Sequence, residues 1–127
     1  MRVFLVRHAH AAPGDPDDLR RLTPEGREAA RRVGERLKAQ RPDAVVTSPL
    51  LRARETADLI ARSCRLRAQP DDRLAPGATA ETLRDAVAGR GDIVVAVGHQ
   101  PDCSEIVLAL AGRDVEFAPG GVEELEL

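Results

Sequence analysis

Aromatic residues are almost missing from this chain: among 127 residues only Phe4 and Phe117 carry a benzene ring, and there is no Trp or Tyr. Without stacking platforms the chain cannot hold successive nucleic-acid bases, and any core has to be built from Leu, Val, Ile and Ala. Cysteine is nearly as scarce. Cys64 and Cys103 lie far apart and match neither a metal-ligand spacing nor a disulfide framework, so both read as reduced thiols. Basic charge is not in excess either, with 19 Lys and Arg against 21 Asp and Glu. No chain-wide positive field is available to bind nucleic acid by counterion release, and affinity for an anion has to come from a local cluster. No apolar run approaches the roughly 20 residues that span a bilayer. Met1 leads directly into Val3-Phe4-Leu5-Val6, too short for a signal segment, so the expectation is a cytoplasmic protein without membrane contact.

What is present fits one globular domain over residues 1–127, with 43% of the residues hydrophobic. Val3–Val6, Ala44–Thr47 and Ile93–Val97 are β-branched runs of the kind buried on both faces of a sheet. Val122–Leu127, apolar positions interrupted by Glu123, Glu124 and Glu126, reads as a solvated edge strand. Helical patterns separate them. One starts at Thr23-Pro24 and runs to about Gln40, and a second starts at Ser48-Pro49 with Ser48 as its N-cap and places Leu50, Ala53, Ala57 and Ile60 on one face. A third covers Ala80–Ala88, and a fourth runs from Pro101 to Ala111, closed by Gly112. This alternation predicts an α/β fold: a single three-layer domain with a mixed, mostly parallel central sheet and helices on both faces. The segments Ala11–Leu22, acidic through Asp15, Asp17 and Asp18, and Arg67–Thr79 read as irregular loops that rim a site.

In such sheets ligands sit beyond the carboxyl ends of the strands, and here each of the first three strands ends in polar residues. They are Arg7-His8-Ala9-His10, then Ser48-Pro49 with Arg52 just beyond, and Gly98-His99-Gln100-Pro101. Two arginines and the N-termini of two helices offer donors suited to phosphate oxygens. Arginine charges disfavour an imidazolium beside them, and a neutral imidazole is a competent nucleophile. Phosphoryl transfer to His8 follows, with no metal and no cofactor, because a divalent cation would want carboxylates or thiolates rather than two arginines.

These segments carry a resemblance. Arg7-His8-Ala9, Leu22-Thr23-Pro24-Glu25-Gly26, Ser48-Pro49-Leu50-Leu51-Arg52-Ala53-Arg54-Glu55-Thr56 and Gly98-His99-Gln100-Pro101 resemble, in order and spacing, the motifs of the histidine phosphatase superfamily. The short chain is most similar to its SixA-type phosphohistidine phosphatases. The resemblance implies that His8 is the nucleophile, that Arg7 and Arg52 grip the phosphoryl oxygens, and that His99 donates to them. It makes Arg20 a further candidate for the same anion; the residues themselves make Ser48, first of all an N-cap, a second candidate to turn its hydroxyl to the pocket. No motif marks a general acid; Glu81 is the positional candidate. The partner so implied is a phosphorylated histidine-containing protein or a small phosphate ester. A phosphate-binding module without turnover stays open beside these two.

Three further readings await the structure. His10 is placed at the rim rather than in the chemistry, Arg54 and Arg20-Arg21 read as surface charges on the residues alone, and Cys103 sits in a helix's first turn near His99, where its thiolate is somewhat favoured although no base or motif marks it as a nucleophile.

Overall fold

β-branched strands take the middle of a sheet when both of its faces are covered, and the computed structural model, which describes residues 1–127, covers both. In chain order its elements are β1 (Arg2–Arg7), α1 (Pro24–Lys38), β2 (Ala44–Thr47), α2 (Leu51–Ser63), β3 (Ala68–Pro70), α3 (Ala80–Val87), β4 (Ile93–Gly98), α4 (Asp102–Ala111) and β5 (Val122–Glu126). The strands lie in the order β3-β2-β4-β1-β5; β5 runs antiparallel to β1 and the other neighbours are parallel. Side chains alternate across the sheet. Val3 and Leu5 of β1 join Leu83, Val87, Ile106 and Val107 of α3 and α4 in one core, whereas Phe4 and Val6 join Val33, Leu37, Ala57 and Ile60 of α1 and α2 in the other. No helix is long and apolar enough to cross a membrane.

The α/β architecture with helices on both faces is therefore the one read from the pattern; its details differ in three places. A fifth strand, β3, lies within the expected loop Arg67–Thr79. It has three residues, two of them exposed, and its proline lacks an N–H, which only an edge position tolerates. Helix α1 stops at Lys38 because the chain turns into the left-handed region at Arg41 (φ 54°). Helix α2 begins at Leu51 rather than at Ser48-Pro49, with Leu50 as a cap that offers no side-chain acceptor. Ser48 is thus not the N-cap, although its hydroxyl accepts from the Leu50 N–H (3.2 Å) ahead of the helix and has room for a second partner.

Candidate active site

Strand register explains why residues far apart in sequence meet. Arg7 of β1 pairs with Gly98 of β4, and Thr47 of β2 pairs with Val97, so the three strands leave the same edge of the sheet within one residue of one another. The next residues are His8, His99 and Ser48. The His8 N–H donates to the Gly98 carbonyl (3.0 Å) and the Ser48 N–H to the Val97 carbonyl (2.9 Å), which extends the sheet pairing by one residue. The two imidazole rings stand edge to face with centroids 5.2 Å apart.

Around them lies a cavity of about 320 Å3 lined by Arg7, His8, Asp17, Arg20, Arg52, Pro76, His99 and Gln100. Apart from Pro76 every lining residue is polar. A second hollow of about 430 Å3 adjoins it, sharing Arg7 and Gln100 and bounded otherwise by Glu116, Phe117 and Ala118.

His8 is held in one tautomer. Its Nδ1 lies 2.8 Å from the Ala9 carbonyl oxygen, which only accepts, so Nδ1 carries the proton and Nε2 keeps its lone pair. Burial is the main influence holding its pKa down at about 4; Arg52, Arg7 and Arg20 add to it, and the Ala9 bond works the other way. His99 is likewise lowered to about 4, by burial first and then by His8 and Arg52. The neutral imidazole expected from arginine charge is present, but desolvation is its larger cause. In a titration of the free protein followed by histidine ring resonances in NMR, both rings should protonate near pH 4 rather than near 6.5. A midpoint above 6 for either ring would contradict the desolvated site.

The arginines are fixed mainly by main-chain acceptors. Arg7 Nη1 donates to the Phe117 carbonyl (2.8 Å), and Arg20 Nε to that of Ala12 (2.9 Å). Arg52, only 7% exposed, donates from Nη1 to the Asp17 carbonyl (2.9 Å) and from Nη2 to the Asp17 carboxylate (3.2 Å), which Arg20 Nη1 also reaches at 3.2 Å. With neutral histidines, three arginines and one aspartate leave the cavity a net charge of +2. Three buried side-chain nitrogens in the whole protein have no hydrogen-bond partner: Arg7 Nε, Arg52 Nε and His99 Nδ1. All belong to residues of this one cavity. Buried polar groups are normally paired, so three unpaired nitrogens on residues that line one cationic hollow set it apart from the rest of the protein and fit an oxyanion there.

The comparisons agree in kind. Residues 3–76, which include His8 and Arg52, match the family model of the histidine phosphatase superfamily (branch 1). The chain belongs to this superfamily. An uncharacterized protein of Picosynechococcus is 35% identical over 122 residues, covering 87% of this chain and 73% of its own. The mitochondrial serine/threonine-protein phosphatase Pgam5 of Drosophila willistoni is 43% identical over 61 residues, 46% of this chain, and that match spans only 21% of its length. Among solved structures, the protein histidine phosphatase SixA complexed with tungstate superposes with a TM-score of 0.87 at 26% identity, over all of this chain and 88% of its own.

In this superfamily member, residues outside the cavity hold the site together. Thr56 accepts from the Ala9 N–H (3.0 Å) and donates to the Arg52 carbonyl (2.8 Å), which ties the His8 turn to the helix bearing Arg52. Glu55 accepts from the Leu22 N–H (2.8 Å), and Asp102 from the N–H groups of Gly77 (2.8 Å) and Ala78 (3.1 Å), beside Pro76 in the cavity wall. Gly26 lets α1 start against the turn after β1, since a Cβ there would overlap the His10 carbonyl.

Arg7, His8, Arg20, Arg52 and His99 are thus brought together, whereas two other candidates are not. Glu81 is exposed in the first turn of α3 and does not line the cavity. Ser48 is fully buried, also off the cavity wall, with its hydroxyl turned to His99 at 2.7 Å. His10 is exposed and does not line the cavity; its Nδ1 pairs with the Thr23 hydroxyl (3.0 Å). The Cys103 thiolate is not favoured: burial pushes its pKa up to about 12. The sequence puts Asp17 in a loop that rims the site but does not disclose its pairing with Arg52, which joins two segments that no local pattern relates.

Proposed function

We propose that this protein is a phosphatase that removes the phosphoryl group from a phosphohistidine side chain of another protein, with His8 as its transient carrier. The observation that carries the reading is the bare Nε2 of His8 on a cavity whose other lining residues, Arg7, Arg52 and His99, hold the three unpartnered nitrogens. The phosphoryl oxygens take those donors, and a dianion matches the cavity's charge of +2. The His8 lone pair attacks phosphorus, and a P–N bond forms as the bond to the substrate nitrogen breaks. Water then attacks the phosphorylated His8, and inorganic phosphate leaves with the ring restored.

A leaving group needs a proton, and the cavity has one carboxylate to give it. Hydrogen bonding from Arg20, with help from Arg52, holds Asp17 below the usual carboxylate range, so it is ionised and not a donor. An imidazole leaving group can depart already protonated, which favours phosphohistidine over an alkyl phosphate ester. The similarity over the whole chain to a protein histidine phosphatase points the same way. The adjoining hollow beside Arg7 leaves room for a substrate larger than the phosphoryl group.

The test is a comparison of catalytic efficiency on a phosphohistidine-containing protein and on a panel of sugar phosphates and phosphoglycerates, in excess EDTA. Efficiency should be highest on the protein and unaffected by the chelator, since arginines supply the positive charge a divalent ion would otherwise bring. A small ester turned over far faster would overturn the substrate assignment. Loss of activity in EDTA with rescue by added metal would overturn the metal-independent mechanism.

A further inference from the structure

Ser48 and His99 share a proton whose position decides what His99 can do, and hydrogen-bond accounting locates it. Ser48 Oγ accepts from the Leu50 N–H (3.2 Å) and lies 2.7 Å from His99 Nε2; it is wholly buried and touches no other acceptor. Two arrangements are possible for a neutral ring. If Nε2 held the proton and donated to Ser48, both hydroxyl lone pairs would be occupied, its hydrogen would have no acceptor, and the buried Nδ1 would present a lone pair with no donor. If Ser48 donates to Nε2, the hydroxyl is fully paired and only one group is left over, an Nδ1–H. The second arrangement strands one polar group where the first strands two, and buried groups are rarely stranded.

We infer that Ser48 is a positioning residue that fixes the tautomer of His99 by donating to Nε2, so that Nδ1–H is the donor turned to the phosphoryl group. Resting on the phosphatase reading for its ligand, the inference explains why a hydroxyl outside the cavity sits against its second histidine. In the opposite tautomer the buried Nδ1 would hold a lone pair and have no hydrogen to give an anion. The ring's acid–base state is compatible, because a pKa near 4 leaves His99 neutral at pH 7 and makes its tautomer a real choice. Asp17 and Arg52 bear on His99 from the neighbouring loop and helix, but neither is bonded to its ring.

The two histidines are therefore set by the same device used with opposite outcomes. At His8 an acceptor-only carbonyl puts the proton on Nδ1 and leaves Nε2 as the reactive lone pair. At His99 a hydroxyl donor occupies Nε2 and leaves Nδ1 as the proton donor. One ring is prepared to give electrons and the other a hydrogen bond.

The experiment is 15N NMR of histidine-labelled full-length protein at pH 7, with and without tungstate, together with kinetics of Ser48→Ala and Ser48→Thr. Wild-type His99 should show a protonated Nδ1 and a bare Nε2, and tungstate should shift the Nδ1–H resonance. In Ser48→Ala the proton should redistribute towards Nε2, with kcat falling roughly tenfold to a hundredfold. Ser48→Thr, which keeps the hydroxyl, should restore the wild-type tautomer. A wild-type His99 protonated on Nε2 overturns the inference whether or not either variant folds, as does an Ser48→Ala protein whose His99 keeps the proton on Nδ1. The tautomer is read without turnover. A protein with Nδ1–H in place and no phosphatase activity would sink the phosphatase reading and leave the tautomer standing.

Discussion

Replacing His8 by alanine should lower turnover by at least ~10^4-fold, because the variant retains the oxyanion cradle but has no atom to carry the phosphoryl group. The fold should survive. His8 sits at the strand's end, and the hydrogen bonds that hold its segment, from its N–H to Gly98 and from Gly120 to its carbonyl, belong to the main chain. Its loss should even help the protein against acid. The folded-state pKa of His8 is depressed to about 4, so between about 6.5 and 4 the unfolded chain takes up a proton that the folded chain refuses. Stability therefore falls as pH falls through that window, and His8→Ala removes one such contribution. Initial rates and thermal melts at pH 7 and pH 5 check both parts. A variant with rates within tenfold of wild type would mean that another group accepts the phosphoryl.

Arg52→Lys should lower kcat/KM by roughly 10^2- to 10^3-fold with little change in stability at pH 7. The charge is conserved, so a large loss isolates geometry. Arg52 directs a planar fork from the first turn of α2, with two nitrogens engaged by Asp17 and a third buried and unpartnered. Lysine offers a single point of charge and cannot fill the Nε position at all. Asp17, which keeps Arg20, is not left unpaired in the variant. Steady-state kinetics and the tungstate inhibition constant give the measurement, and inhibition should weaken in parallel. A lysine variant that matches wild type in both would show that Arg52 acts through charge alone.

Much of this architecture is legible in the residues because the local signals agree with the global fold. The central strands are nearly continuous apolar runs rich in valine, the Thr23-Pro24 cap starts α1 as written, and Gly112 closes α4 in the left-handed conformation (φ 68°). The cluster of Arg7, His8, Arg52 and His99 could be expected because strand ends are where such sheets gather ligands. What escaped was set by contacts across the chain. Strand β3 is too short to show a period and exists through its pairing with β2. Ser48 carries every local mark of an N-cap, yet α2 starts later, and its hydroxyl serves a histidine 51 positions away.

The neutral histidines follow from arginine charge in direction, but their main cause is not legible in the sequence. Burial cannot be read from a list of neighbours, so the depressed histidines looked like a consequence of arginine, when desolvation is the larger influence. The same burial raises Cys103 instead of activating it. Glu81 shows the limit of positional analogy: its helix starts where expected, but its side chain faces solvent, and the carboxylate that reaches the cavity is Asp17, from a loop with no periodicity to follow.

The measurement that bears most directly on the account is to quench the enzyme with base during turnover of labelled substrate and map the protein-bound phosphate by peptide mass spectrometry. Phosphate should be found on His8, stable in alkali and lost in acid as a phosphoramidate is, and absent from His8→Ala. Acid-stable phosphate, or phosphate on any other residue that persists in His8→Ala, would contradict it.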